Sequence, residues 1–137
     1  MIDEEIVEWL NKANSDLKVA EHVLNLPEKE IVKYAVCFHC QQAVEKYLKA
    51  FLIYNKVKPE RTHDINHLLD QCANIDKKFV NIEIRELSSF GVDIRIPSDF
   101  YIPDIEDVKF YYDLTKQTKE LVITKLGIKE QIGVNPL

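Results

Sequence analysis

Apolar residues recur along the chain at intervals of three and four. In the first segment, residues 3–25, they fall at Ile6, Trp9, Leu10, Ala13, Leu17, Ala20 and Leu24, one stripe of a 3.6-residue helix. Asp3, Glu4 and Glu5 stand at its start, where negative charge suits the open N–H groups of a first turn. Pro27 follows and either stops this helix or opens the next. The second segment runs from about residue 28 to 55. Its first half, Ile31 to Cys40, is apolar almost all the way round, the pattern of a central helix or of one shared with a second subunit. From Gln41 onward it reads as one-sided, with Val44, Leu48 and Phe51 inward and Glu45, Lys46 and Lys49 outward.

A loop is expected over residues 56–62, then a third helix beginning near Thr62 or Asp64, either of which can cap it. That helix carries Ile65, Leu68, Leu69 and Cys72. A fourth piece near residues 76–90 carries Phe79, Ile82, Leu87 and Phe90, and its pattern leaves open whether it is separate from the third. Residues 91–103 read as a loop, because Ile96 and Ile102 each precede a proline and are pushed from the helical region. The last helix opens at Asp104 and runs through Val108, Tyr111, Tyr112, Leu121 and Val122 to Gly127, a C-terminal cap. The expectation is an all-α, up-and-down bundle of four to five helices, a single domain over residues 3–127 with a C-terminal tail, 128–137.

Composition narrows this further. In 137 residues there are only three glycines and five prolines, too few for the turn every 8–12 residues or so that an all-β chain needs. The length suits one domain, which buries about two-thirds of its unfolded surface. Net charge is −5 and evenly spread, which argues against coating duplex nucleic acid. Local relief remains: residues 45–61 are net positive and residues 99–113 net negative, so a small basic patch facing one phosphate fits. The acidic N-terminus lacks the order of a signal peptide, and no run approaches a membrane span. Three cysteines form no disulfide pattern, which points to a reduced, cytoplasmic setting.

Candidate chemistry is concentrated in four places. Cys37 and Cys40 form a C-x-x-C, but inside a helix rather than at the N-terminus where such thiols are activated, so core packing is the expected role. His63 and His67 stand at i, i+4 like a zinc pair, yet they straddle a helix start, and a capping turn through Thr62 or Asp64 is the simpler account; no metal is expected. Glu45 and Lys49 read as a surface ion pair, which leaves Gln41 and Gln42, interrupting an apolar stretch, without a reason. Arg95 lies between Ile94 and Ile96 in the long loop. Its guanidinium either binds a phosphate or ties the loop down through Asp93, Asp99 or a helix C-terminus.

Four blocks together resemble the HEPN family, named for higher eukaryote and prokaryote nucleotide-binding domains. They are Trp9 with Ala13 and Asp16-Leu17; Gln42-Ala43-Val44-Glu45-Lys46-Tyr47-Leu48-Lys49-Ala50; Thr62-His63-Asp64-Ile65; and Asp93-Ile94-Arg95-Ile96-Pro97. The resemblance covers about residues 3–127. It implies a homodimeric helical bundle encoded beside a minimal nucleotidyltransferase. Many members are ribonucleases, and several act in toxin–antitoxin or antiviral systems. Their signature is an arginine followed a few residues later by a histidine, a proton-transfer group beside a cation for the developing phosphorane charge. Arg95 matches that arginine, but the histidines here are His22, His39, His63 and His67, all before it.

The resemblance therefore implies a dimeric module without cofactor. It would partner the nucleotidyltransferase and bind a nucleotide or RNA phosphate through Arg95, Lys46, Lys49, His63 and Asp64. One alternative is a metal-independent endoribonuclease using Arg95 with His63 or Tyr101; another is a purely structural dimer. Tyr101 is also the candidate for the AMP modification that some toxin members receive.

Overall fold

The computed structural model describes residues 2–91 and 102–128. Among them the chain forms four α-helices: α1 (Glu4–Leu24), α2 (Lys33–Tyr54), α3 (Ile65–Ile75) and α4 (Ile105–Leu126). Asp3 caps α1 by accepting from the Ile6 N–H at 3.1 Å. The stripe read from the sequence is the face that α1 buries, with Ile6, Leu10, Ala13, Leu17 and Ala20 in the core. Asp104 opens α4 with a capping box closed by Asp107, and Gly127 at φ 71° ends it.

Two boundaries differ from the sequence reading. The second helix begins at Lys33, not near residue 28, because Glu28–Glu30 makes only a 3-10 turn and Ile31 and Val32 are extended. The Glu-Lys-Glu turn is exposed and has no apolar face to dock, and β-branched Ile31 and Val32 favour extended backbone. The piece after α3 is separate from it, and is not an α-helix. Asp76 terminates α3 in extended backbone and caps a 3-10 helix, Lys77–Asn81; a second one spans Leu87–Gly91.

The bundle is built on an antiparallel pair, α1 and α2, in which Asn14 faces Tyr47 and Trp9 faces Lys49. After α2 the chain turns back along it, and α3 and α4 both run in the sense of α2. His63 lies beside Gln41 and Glu45 while Cys72 reaches the Leu48 carbonyl. Likewise Tyr34 and Tyr111, near the starts of α2 and α4, both contact Phe90. The return strokes are made by residues 55–64 and by the 3-10 segments, rather than by helices.

α2 is the central element. Val36, Cys37, Cys40, Val44, Tyr47, Leu48 and Phe51 are all buried on different sides of it. The sequence reading turned Glu45 outward, and this is corrected: Glu45 is 4% exposed and Gln41 fully buried. A helix enclosed by α1, α3, α4 and the 3-10 segments has no wide solvent face left for them.

Candidate functional site

Gln41, Glu45 and Lys49 stand at i, i+4 and i+8 on α2, so their side chains share one face. Glu45 is the hub. One carboxylate oxygen accepts from Lys49 Nζ at 2.8 Å, and the other is 3.1 Å from His63 Nδ1. A carboxylate can only accept, so the proton of this contact sits on His63 Nδ1. The His63 side chain is 66% exposed while that of Glu45 is 5% exposed. A solvent-facing imidazole is thus oriented by a buried carboxylate.

Gln41 explains the glutamine in an apolar stretch. Its Nε2 donates to the His63 carbonyl at 2.8 Å, and its Oε1 accepts from Gln42 at 2.8 Å. Gly91 lies directly against the Gln41 amide, where a Cβ would come within 2.2 Å of Nε2. Gly91 and the turn bearing His63 therefore meet at one buried amide.

The Thr-His-Asp turn is a capping structure. The Asp64 N–H donates to the Thr62 hydroxyl at 2.9 Å, and Asp64 Oδ1 accepts from the Asn66 N–H and the Ser88 hydroxyl, both at 3.0 Å. Partial desolvation acts to raise the Asp64 pKa, but these hydrogen bonds hold it below the ordinary carboxylate value. His67 faces Glu60 at 4.0 Å, so the two histidines have separate carboxylate neighbours. Among the described residues no group of three or more His, Cys, Asp or Glu could hold a metal.

Lys46 points to α1 instead. Its Nζ is 2.5 Å from Asp16, whose other oxygen is 2.8 Å from His39 Nδ1. This bidentate tie joins the first two helices and already occupies Lys46. Cys37 lies about one turn into α2, closer to the helix start than the sequence suggested. Even so, burial pushes Cys37, Cys40 and Cys72 up to about 12, which makes them packing residues. Arg95 and Tyr101 lie outside the described residues, as does the expected tail apart from Ile128.

A feature the sequence reading did not assemble lies next to Lys49. A groove of about 540 Å³ opens between α1 and the end of α2. Trp9, Ile53, Val57 and Pro59 form its apolar walls, and Lys49, Lys56, Lys58 and Arg61 line it together with Glu5 and Glu60. The net-positive run at residues 45–61 was its only trace in the sequence. Its edge is fixed by the end of α2: the Lys56 N–H donates to the Ile53 carbonyl and the Val57 N–H to the Leu52 carbonyl, each at 2.9 Å. This pair of bonds is a Schellman closure, whose left-handed position usually carries glycine. Gly127 occupies that position at the end of α4, but here Lys56 takes it, at φ 62°, at a cost of about 1 kcal/mol.

No described helix is long and apolar enough to cross a membrane. Neither a curated protein nor a solved structure matches the chain. A family model, HEPN domain, matches residues 6–126. That span contains the Asp16 tie, the Gln41–Glu45–Lys49 face, the Thr62-His63-Asp64 turn and the segment of Arg95, and so this chain belongs to the HEPN domain family, a family of nucleotide- and RNA-related modules.

Proposed function

We propose that this protein is a homodimeric HEPN binding module, made as a single domain over residues 3–127, that partners a minimal nucleotidyltransferase. It binds a nucleotide or RNA phosphate at the corner shared by Arg95 and His63. The observation that carries this reading is the junction at Gln41, which holds the His63 carbonyl on one side and contacts Gly91 on the other. Arg95 is four residues beyond Gly91, a span of at most about 14 Å. A guanidinium brought to this corner would join an exposed imidazole and Lys49 around Glu45 as the donors a phosphate needs. Asp64 supports His63 by fixing its turn, and Lys46 contributes only if it leaves Asp16.

Calorimetric titration with nucleotides and short RNA tests this. Wild-type binding that falls at least tenfold in Arg95→Ala and in His63→Ala is expected. No binding, or binding unchanged in both variants, overturns it. Affinity purification from the native cell, with intact-mass measurement, checks the nucleotidyltransferase partner and reveals any AMP-sized addition at Tyr101.

One observation favours a second reading, a metal-independent endoribonuclease. The Glu45–His63 contact orients an imidazole as a general base is oriented in acid–base catalysis. RNA cleavage that persists in chelator and disappears in Arg95→Ala and His63→Ala selects it over the binding module.

A further inference from the structure

We propose that the groove between α1 and the end of α2 is a base-recognition subsite. In it Trp9 stacks on the flat heteroaromatic ring of a nucleoside phosphate, while Lys56, Lys58 and Arg61 hold the phosphate. The proposal rests on the reading above in taking a nucleotide or RNA as the ligand, and the groove, which holds a phosphate of its own, adjoins the His63 corner through Lys49. Glu45 touches His63 with one oxygen and Lys49 with the other, and Lys49 Nζ is 5.4 Å from the centre of the Trp9 ring.

The groove has the size, walls and charge for such a ligand. Its volume of about 540 Å³ falls in the range of small-molecule sites, about 300–1,000 Å³. Its four cations outnumber its two carboxylates in a chain whose net charge is −5, so the local field is opposite in sign to that of the whole protein. Lys56, Lys58 and Arg61 make no ion pair among the described residues, unlike Lys46, Lys49 and Lys125. A groove lined only with lysines would suit any anion. The indole and the aliphatic wall of Ile53 and Val57 add a preference for an anion that also carries a flat ring.

Two further observations point the same way. Lys12 and Lys49 stand 5.9 and 5.4 Å from the Trp9 ring centre, at the weak edge of cation–π attraction. An incoming base can displace exposed Lys12, and the freed ammonium then faces the ligand's phosphate. Lys56 also sits in a left-handed position where glycine would be less strained. The closure itself needs no lysine there. The charged surface is small, which excludes duplex and leaves two sources of the same chemistry: a free mononucleotide or an unpaired RNA end.

Trp9 is the only tryptophan, so its emission reports stacking directly. The full-length protein is titrated with ATP, UMP, a 5′-phosphorylated trinucleotide, adenosine and inorganic pyrophosphate, following fluorescence and heat together. Saturable quenching by ATP, UMP or the trinucleotide is expected, with adenosine and pyrophosphate at least tenfold weaker. The better of the mononucleotide and trinucleotide identifies the source. Lys58→Gln/Arg61→Gln, on exposed positions, should weaken quenching at least tenfold while the thermal midpoint stays within a few degrees. Binding detected by heat and lost in Arg95→Ala, but without any change in Trp9 emission, overturns the groove and leaves the phosphate corner standing. Quenching unaffected by Arg95→Ala and His63→Ala keeps the groove and removes the corner. No signal by either readout removes both.

Discussion

Replacing Glu45 tests the central claim that this carboxylate is a buried hub, since a surface i, i+4 ion pair would be worth only about 0.3–0.5 kcal/mol. In the structure its side chain is 5% exposed and that of Lys49 is 13% exposed. It accepts from Lys49 at 2.8 Å, lies 3.1 Å from His63 Nδ1, and is 3.5 Å from the buried Gln41 amide. Breaking a buried pair by removing one partner costs about 3–5 kcal/mol. Lys49 can still swing part of its length to water and His63 is mostly exposed, which lowers the figure for Glu45→Ala to about 2–3 kcal/mol. Glu45→Gln keeps the volume and one acceptor and should cost about 1–2 kcal/mol. Urea denaturation at fixed protein concentration, followed by Trp9 emission and circular dichroism, measures both. With a slope of about 1–3 kcal/mol per molar, the alanine variant should shift its midpoint by about 1 M. A double-mutant cycle with Lys49→Met isolates the pair and should return a coupling of at least about 1 kcal/mol. Losses below about 0.5 kcal/mol in both variants, with no coupling, would refute the buried hub.

Other parts of the molecule can be tested as directly. Gly91→Ala drives a Cβ to 2.2 Å from Gln41 Nε2; losing that amide's bond to the His63 carbonyl should cost about 1–3 kcal/mol by urea melt, and a neutral result would place Gly91 away from Gln41. Lys56→Gly relieves the left-handed lysine and should raise stability by about 0.5–1 kcal/mol while weakening nucleotide quenching of Trp9; stabilisation without loss of quenching would separate Lys56 from the groove. All three thiols, raised to about 12 by burial, should ignore a thiol reagent in the folded protein and react together in urea; one fast thiol under native conditions contradicts this. Asp76 is held low chiefly by the Lys125 hydrogen bond, and Asp64 by its capping bonds despite desolvation. Because both folded-state values lie below the ordinary 3.8, their stabilisation is complete above that value and is lost as pH falls through the lowered ones. An Asp64→Asn/Asp76→Asn variant should therefore show a shallower loss of ellipticity below about pH 4 than wild type, and an identical acid profile would refute it.

Much of this architecture was legible in one dimension, because it depends on local rules. The α1 stripe, the Asp3 and Asp104 caps and the Gly127 stop depend on residues within one or two turns, where spacing and orphan backbone groups decide the outcome. The four motif blocks were legible for the same reason, and the HEPN family model covers the span they occupy. Burial of polar groups was not. Glu45 and Lys49 carry the same spacing whether they face water or a neighbouring helix. Only the approach of His63 from 18 residues away and the enclosure of α2 made Glu45 a hub. Gln41 had no local reason until Gly91 and the His63 carbonyl closed on it. Lys46 and Lys49 looked alike in sequence, and Asp16 on α1 separated them, taking the first into a tie and leaving the second beside Trp9. The groove has the same origin: its aromatic wall comes from α1 and its cations from the end of α2 and the turn beyond. The sequence by itself determined the helices, most of their ends and the family. The tertiary structure decided which charges are buried, paired or left unpaired at the surface, because that depends on contacts between residues far apart along the chain.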